Sequence, residues 1–88
     1  MFIYLVSSVS LLLNPGEEKE LLIYFRNKNE YGFSENILDF NLTDELIKNN
    51  IHINVLKKIK NKFKITITNK SHMAYFIEEN MNICELEI

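Results

Sequence analysis

The chain has no tryptophan, one cysteine, one proline, one arginine and two glycines in 88 residues. Each shortage excludes something. A lone Cys84 cannot form an internal disulfide, and a Cys/His zinc site would have to be gathered from Cys84, His52 and His72 with carboxylates at a spacing that matches no recognised motif. A reducing, cytoplasmic setting is the expectation that follows. Excess positive charge is also missing: ten basic residues against twelve acidic ones give a formal charge of -2, unlike a dedicated nucleic-acid binder. No apolar run reaches the roughly 20 residues that span a bilayer. The apolar N-terminal stretch MFIYLVSSVSLLL (1–13) has no Lys or Arg ahead of it and no small-residue cleavage pattern before Pro15, so it reads as a strand and not as a signal peptide.

What is present is a single small domain, residues 1–88, with 47% hydrophobic residues. A chain of this length buries only about 60–65% of the surface its unfolded form exposes. Its apolar content exceeds what one small core hides easily, so self-association as a dimer or trimer is expected. Nine lysines to one arginine, with twelve asparagines and twelve isoleucines, is a bias toward A/T-rich codons, as in many bacterial, phage and viral genomes.

Taken in order, residues 2–13 carry apolar side chains on both faces: Ile3, Leu5, Val9, Leu11 and Leu13 on one, Phe2, Tyr4, Val6 and Leu12 on the other. Such a strand is covered on both sides, by a partner copy or by the second layer of a sandwich. Asn14-Pro15-Gly16-Glu17 has the chemistry of a type II turn, Pro setting φ at its second position and Gly supplying positive φ at its third. A second strand follows over 19–26, with Leu21, Ile23 and Phe25 on one face. Residues 27–36, NKNEYGFSEN, read as an exposed loop, and Ile37–Phe40 as a short strand. Thr43 is placed to cap a short helix over 44–48, with Asp44 and Glu45 at its positive end and Lys48 at its negative end. Ile51, Ile53 and Val55 alternate with polar residues, as do Phe63, Ile65 and Ile67, giving a hairpin about Lys60-Asn61. Short strands over 73–77 and 82–88 complete the chain, the latter with Cys84 on its apolar face as an inert buried thiol. The fold class expected is all-β: a small β-sandwich or barrel of six to eight strands with at most one short helix.

No catalytic constellation accompanies these elements. Glu17/Glu18 and Glu78/Glu79 are carboxylate pairs in turn contexts, and neither His52 nor His72 has a recognisable Ser, Cys or Asp partner. No cofactor is called for. The strongest chemical signal is the run Lys57, Lys58, Lys60, Lys62 and Lys64, uninterrupted by an acid and followed by Thr66. On one strand face it would bind an anion such as phosphate. The alternative is an edge hairpin that uses lysine to remain soluble. Tyr31, Phe33 and Tyr75 are the aromatics expected to stack on a ligand, although loop aromatics also fold back as cover for a core.

The stretch FKITITNKSHMAYFIEENMNICEL (63–86) resembles the C-terminal half of the trimeric dUTPase and dCTP deaminase β-barrel. ITITN matches the family's V-x-L-x-N, residues 76–86 its F-x-I-x-x-G-D-R-I-A-Q-L, and residues 11–21 its earlier L-x-P-G-E turn, together about half of the chain. The functional positions depart. Asn80-Met81-Asn82 stands in place of Gly-Asp-Arg, Glu85 in place of Gln, and Arg26 is followed by Asn27 where the family has an Arg-Ser pair. The Asp and Tyr of the uridine pocket and the Gly-rich flap have no counterpart. The resemblance implies the barrel scaffold emptied of its catalytic equipment.

Two functions fit these observations. The first is a non-catalytic, oligomeric accessory or inhibitor protein of phage or viral type, holding a nucleotide-like anion in the host cytoplasm. The second is a protein-interaction module of immunoglobulin-like form, docking on a host or structural partner.

Overall fold

A computed structural model of the chain describes residues 2–26, 41–59 and 62–87. In chain order the elements are β1 (Phe2–Ser7), β2 (Leu11–Leu13), β3 (Glu18–Phe25), β4 (Asn41–Leu42), α1 (Asp44–Lys48), β5 (Ile51–Ile59), β6 (Lys62–Asn69), β7 (Tyr75–Ile77) and β8 (Asn82–Glu87). The expected all-β class with one short helix is what forms. Antiparallel pairing builds a six-stranded sheet in the order β4-β8-β1-β3-β6-β5 and a second sheet of β2 and β7. The core lies between them. Leu5, Ile23, Ile65 and Ile67 from the larger sheet meet Leu13 and Ile77 from the smaller one and Leu46 from α1, all fully buried. Phe25 and Phe63 add an edge-to-face contact with ring centroids 5.9 Å apart.

The turn chemistry is as the residues require. Gly16 has φ +80°, the Glu17 N–H donates to the Asn14 carbonyl at 3.0 Å, and the Asn14 N–H donates to the Glu17 carboxylate at 2.7 Å. Helix α1 starts after Thr43, which is extended as a capping residue should be, with Asp44 and Glu45 in the first turn and Lys48 in the last. The Thr43 hydroxyl does not close the cap; it donates to the Asn82 carbonyl at 3.4 Å and ties the helix entrance to β8. The loop of Tyr31 and Phe33, the short strand expected at Ile37–Phe40 and the Lys60-Asn61 turn all lie outside the described residues.

Residues 2–13 are not the single strand that alternation suggests. The ladder stops at Ser7, whose buried hydroxyl donates to the Val9 carbonyl at 2.6 Å and accepts from the Val9 N–H at 3.4 Å. A short polar side chain bonding its own backbone two residues on offers the chain a turn in place of a strand. The partner strand breaks at the same level. Ser7 exchanges backbone bonds with Met81 and Asn80 at 3.0 and 2.8 Å, Asn80 takes φ +68°, and the Ser10 hydroxyl accepts the Glu79 N–H at 2.9 Å. The β1/β8 and β2/β7 ladders are thus two halves of one bent ribbon that passes from the large sheet to the small one. This change of sheet is why apolar residues load both faces of the segment. Two apolar positions stay uncovered: Val9 in the break, 48% exposed, and Leu12, opposite Phe76, with 46% and 50% exposure.

Two bulges alter the side-chain alternation. Ile83 is inserted where Val6 pairs with Asn82 and Leu5 with Cys84, so Ile83 and Cys84 are consecutive and both fully buried. Leu56 is inserted between the Val55–Ile65 and Lys57–Lys64 pairs of the hairpin.

The two sheets are joined at Asn69, the last residue of β6 and fully buried. Its amide nitrogen donates to the carbonyls of Leu13 and Met73 at 3.0 and 2.8 Å, and its amide oxygen accepts from the N–H and hydroxyl of Ser71 at 2.9 and 2.8 Å. Its backbone bonds Gly16 and Glu17 of the turn at 2.8 and 2.9 Å. Leaving buried polar groups without partners costs about 1–3 kcal/mol. Asn69→Ala is accordingly expected to lower the unfolding free energy by about 3 kcal/mol, measured as a fall in the urea midpoint with the slope unchanged. Gly16→Ala makes the opposite test. An added Cβ would meet nothing within 4 Å, so the loss should be only the cost of positive φ, about 1–2 kcal/mol.

Candidate functional site

The face of the large sheet turned away from the core carries Lys57, Lys62 and Lys64, and Arg26 lies just past the end of its strand β3. In antiparallel strands directly paired residues share a face. Glu18, Glu20, Leu22 and Tyr24 of β3 pair with Thr68, Thr66, Lys64 and Lys62 of β6. On the far side of β6, His52, Asn54, Lys57 and Ile59 of β5 pair with Thr68, Thr66, Lys64 and Lys62. Lys57, Lys62, Lys64 and Thr66 therefore come together on one outward surface. Its composition is graded along the strands: acidic and hydroxyl groups at the Glu18 end, cations at the Lys62 end.

The grouping departs from the sequence reading in three respects. Lys58 does not join the others, because the bulge at Leu56 shifts the alternation and pairs Lys58 with Phe63 on the core side. Nor are the lysines free of acids in space: Lys64 forms an ion pair with Glu20 at 3.2 Å. Tyr75 belongs to the small sheet, opposite Leu13 and packed on the core, so the large sheet separates it from the lysines. Burial raises the phenol pKa of Tyr75, and the nearby Glu45 carboxylate adds to the effect. Lys60, Tyr31 and Phe33 lie outside the described residues.

A feature with no local signal in the sequence completes this face. Arg26, just past the end of β3, donates from Nε and Nη2 to Oδ1 of Asn82 at 3.0 and 2.7 Å and from Nη2 to the Asn80 carbonyl at 2.7 Å. The Tyr24 hydroxyl donates to Oδ1 of Asn80 at 2.6 Å. These bonds run from β3 to β8 and the turn before it, across the intervening β1, where Val6 pairs with both Tyr24 and Asn82 and is only 1% exposed. Among the described residues no carboxylate pairs with Arg26.

Elsewhere the chemistry is sparse. A shallow depression of about 470 Å³ follows β5 from Ile53 to Lys58. Glu78, Glu79, His52 and His72 are exposed, and the described residues hold no group of three or more His, Cys, Asp or Glu side chains able to hold a metal ion. Among the described residues no helix is long and apolar enough to cross a membrane. Protein-family models, curated proteins and solved structures contain no match to this chain.

Cys84 is fully buried in the core, and burial pushes its thiol up to about 12 from an ordinary value of 9.0. The neutral thiol is an inert core residue. Because the folded state holds this proton more tightly than the unfolded chain, its contribution to stability is complete below pH 9 and is lost as pH rises toward 12. Across that window the loss is on the order of 4 kcal/mol. Cys84→Ala should show a lower plateau at neutral pH but a flatter alkaline decline, compared by urea unfolding between pH 8 and pH 11, roughly the range in which the unfolded chain's thiol ionises while the folded one keeps its proton.

Proposed function

We propose that this chain is a non-catalytic binding protein that holds a nucleotide-like anionic ligand on the outward face of its six-stranded sheet. The observation that carries the reading is the meeting of Lys57, Lys62 and Lys64 on one surface, with Thr66 beside them and, among the described residues, only Lys64 engaged by an acid. Ammonium groups attract phosphate as point charges, and hydroxyls add donors without further charge. The surface is open and shallow, so a dimer or trimer that brings a second copy over it would enclose the ligand. Such an oligomer is what the likeness to the dUTPase barrel implies, in a reduced relative that keeps the scaffold and lacks the catalytic residues. An accessory protein that sequesters a nucleotide, as in phage or viral inhibition of a host signal, is the role that fits a small binder of this kind.

A second reading rests on the other layer. Leu12 and Phe76 form an exposed apolar pair on the small sheet, which suits an interaction module docking on a protein partner.

Calorimetric titration with mono- and dinucleotides decides for the first reading if one binds and the Lys57→Ser/Lys62→Ser/Lys64→Ser variant binds at least ten-fold more weakly, with affinity falling as salt is raised. Native mass spectrometry of the same sample should show a dimer or trimer. A bare monomer that binds no nucleotide would sink the first reading. A stoichiometric protein partner lost on Phe76→Lys would establish the second.

A further inference from the structure

We infer that Arg26, Asn80 and Asn82 form a binding site for a phosphate group at the β8 end of the outward face. The inference rests on the reading of that face as an anion-binding surface and assigns the point where the phosphate is held.

It follows from counting which hydrogen-bonding valences are used. Arginine has five N–H donors and no acceptor. Three contacts consume donors from Nε and Nη2 and hold the guanidinium plane against Asn80 and Asn82. Its Nη1 donors remain. Because arginine can only donate, the Asn82 side chain must present its oxygen to Arg26, and its NH₂ group is turned to the other side. Asn80 likewise offers its oxygen to Tyr24 and keeps its NH₂ group unused. These bonds occupy the side-chain oxygens of Asn80 and Asn82 and leave the NH₂ groups and Nη1 as donors, with the Glu85 carboxylate on the same face opposite Tyr4. The array therefore displays donors around a full positive charge.

The fixed geometry matters as much as the charge. Asn80 is held at φ +68°, and its N–H donates to the Ser7 carbonyl at 2.8 Å, so the turn that carries it is anchored to β1. A guanidinium already immobilised loses little further freedom when an anion arrives. A planar carboxylate has only two oxygens to offer the remaining Nη1 and amide donors. Donors from three side chains suit the several oxygens and near-double charge of a phosphate group.

The test is a titration of ¹⁵N-labelled protein with inorganic phosphate, following the Arg26 Nε–H and the Asn80 and Asn82 side-chain NH₂ signals. Saturable shifts of all three are expected. Asn82→Asp keeps an oxygen for Arg26 and so preserves the fold, but it neutralises the cation and removes a donor; phosphate binding should weaken at least ten-fold while the thermal midpoint is unchanged or raised. Arg26→Lys, which retains charge without the fork, should also weaken binding. Shifts confined to Lys57, Lys62 and Lys64, equal in wild type and Asn82→Asp, overturn this site and leave the broader reading of the face standing. Equal shifts on titration with acetate overturn the assignment to phosphate. No saturable shift with phosphate overturns the site, and the broader reading is then decided by nucleotide calorimetry.

Discussion

The fold depends on one buried amide. Asn69 fills all four hydrogen-bonding positions of its side chain inside the protein, and those four bonds connect three separate pieces of chain: the end of β2, the loop before β7, and β6 itself. Apolar contact between the two sheets is non-directional and would tolerate sliding of one layer over the other. The amide does not, because its donors and acceptors have one satisfying arrangement. In a domain with so little interior, one such polar joint sets the relation of the layers, while leucine and isoleucine supply most of the stabilising free energy.

Much of the architecture was legible because it rests on local rules. The Asn14–Glu17 turn needed only its own four residues, and the clean alternation of Phe63, Ile65 and Ile67 put one face of β6 in the core. Thr43 and the charges around it marked the helix. What was not legible is what a single residue of phase can hide. The bulge at Ile83 leaves two adjacent apolar residues in the core, which looks like ordinary hydrophobic content, and the bulge at Leu56 sends Lys58 to the face opposite Lys57. The break at Ser7 was invisible because apolar residues resume within a few positions, as though the strand had continued.

The same logic governs the surface chemistry. Lysines adjacent in sequence drew attention as a unit, and pairing geometry divided them. Arg26, Asn80 and Asn82 stood out only as separate departures from a motif, since 54 to 56 positions separate the partners and nothing local joins them. Their association is a product of topology: β1 lies between β3 and β8, so side chains from those two strands can meet only by crossing it. The buried Val6 beneath them shows that the polar bridge also acts as cover.

The ribbon of first and last strands has a consequence for how the molecule is made. Phe2 pairs with Glu87, so β1 takes one neighbour from early in the chain and the other from its far end. Contacts this distant in sequence form late, because closing the longest loop carries the largest entropy cost. During synthesis β1 can zip to β3 once Ile23–Phe25 have emerged. Its opposite edge, with its backbone groups unpaired, must wait until Asn82–Glu87 have been added. The nascent chain is therefore most open to chaperones, or to erroneous strand exchange between neighbouring ribosomes, along the strand that ends up at the middle of the sheet.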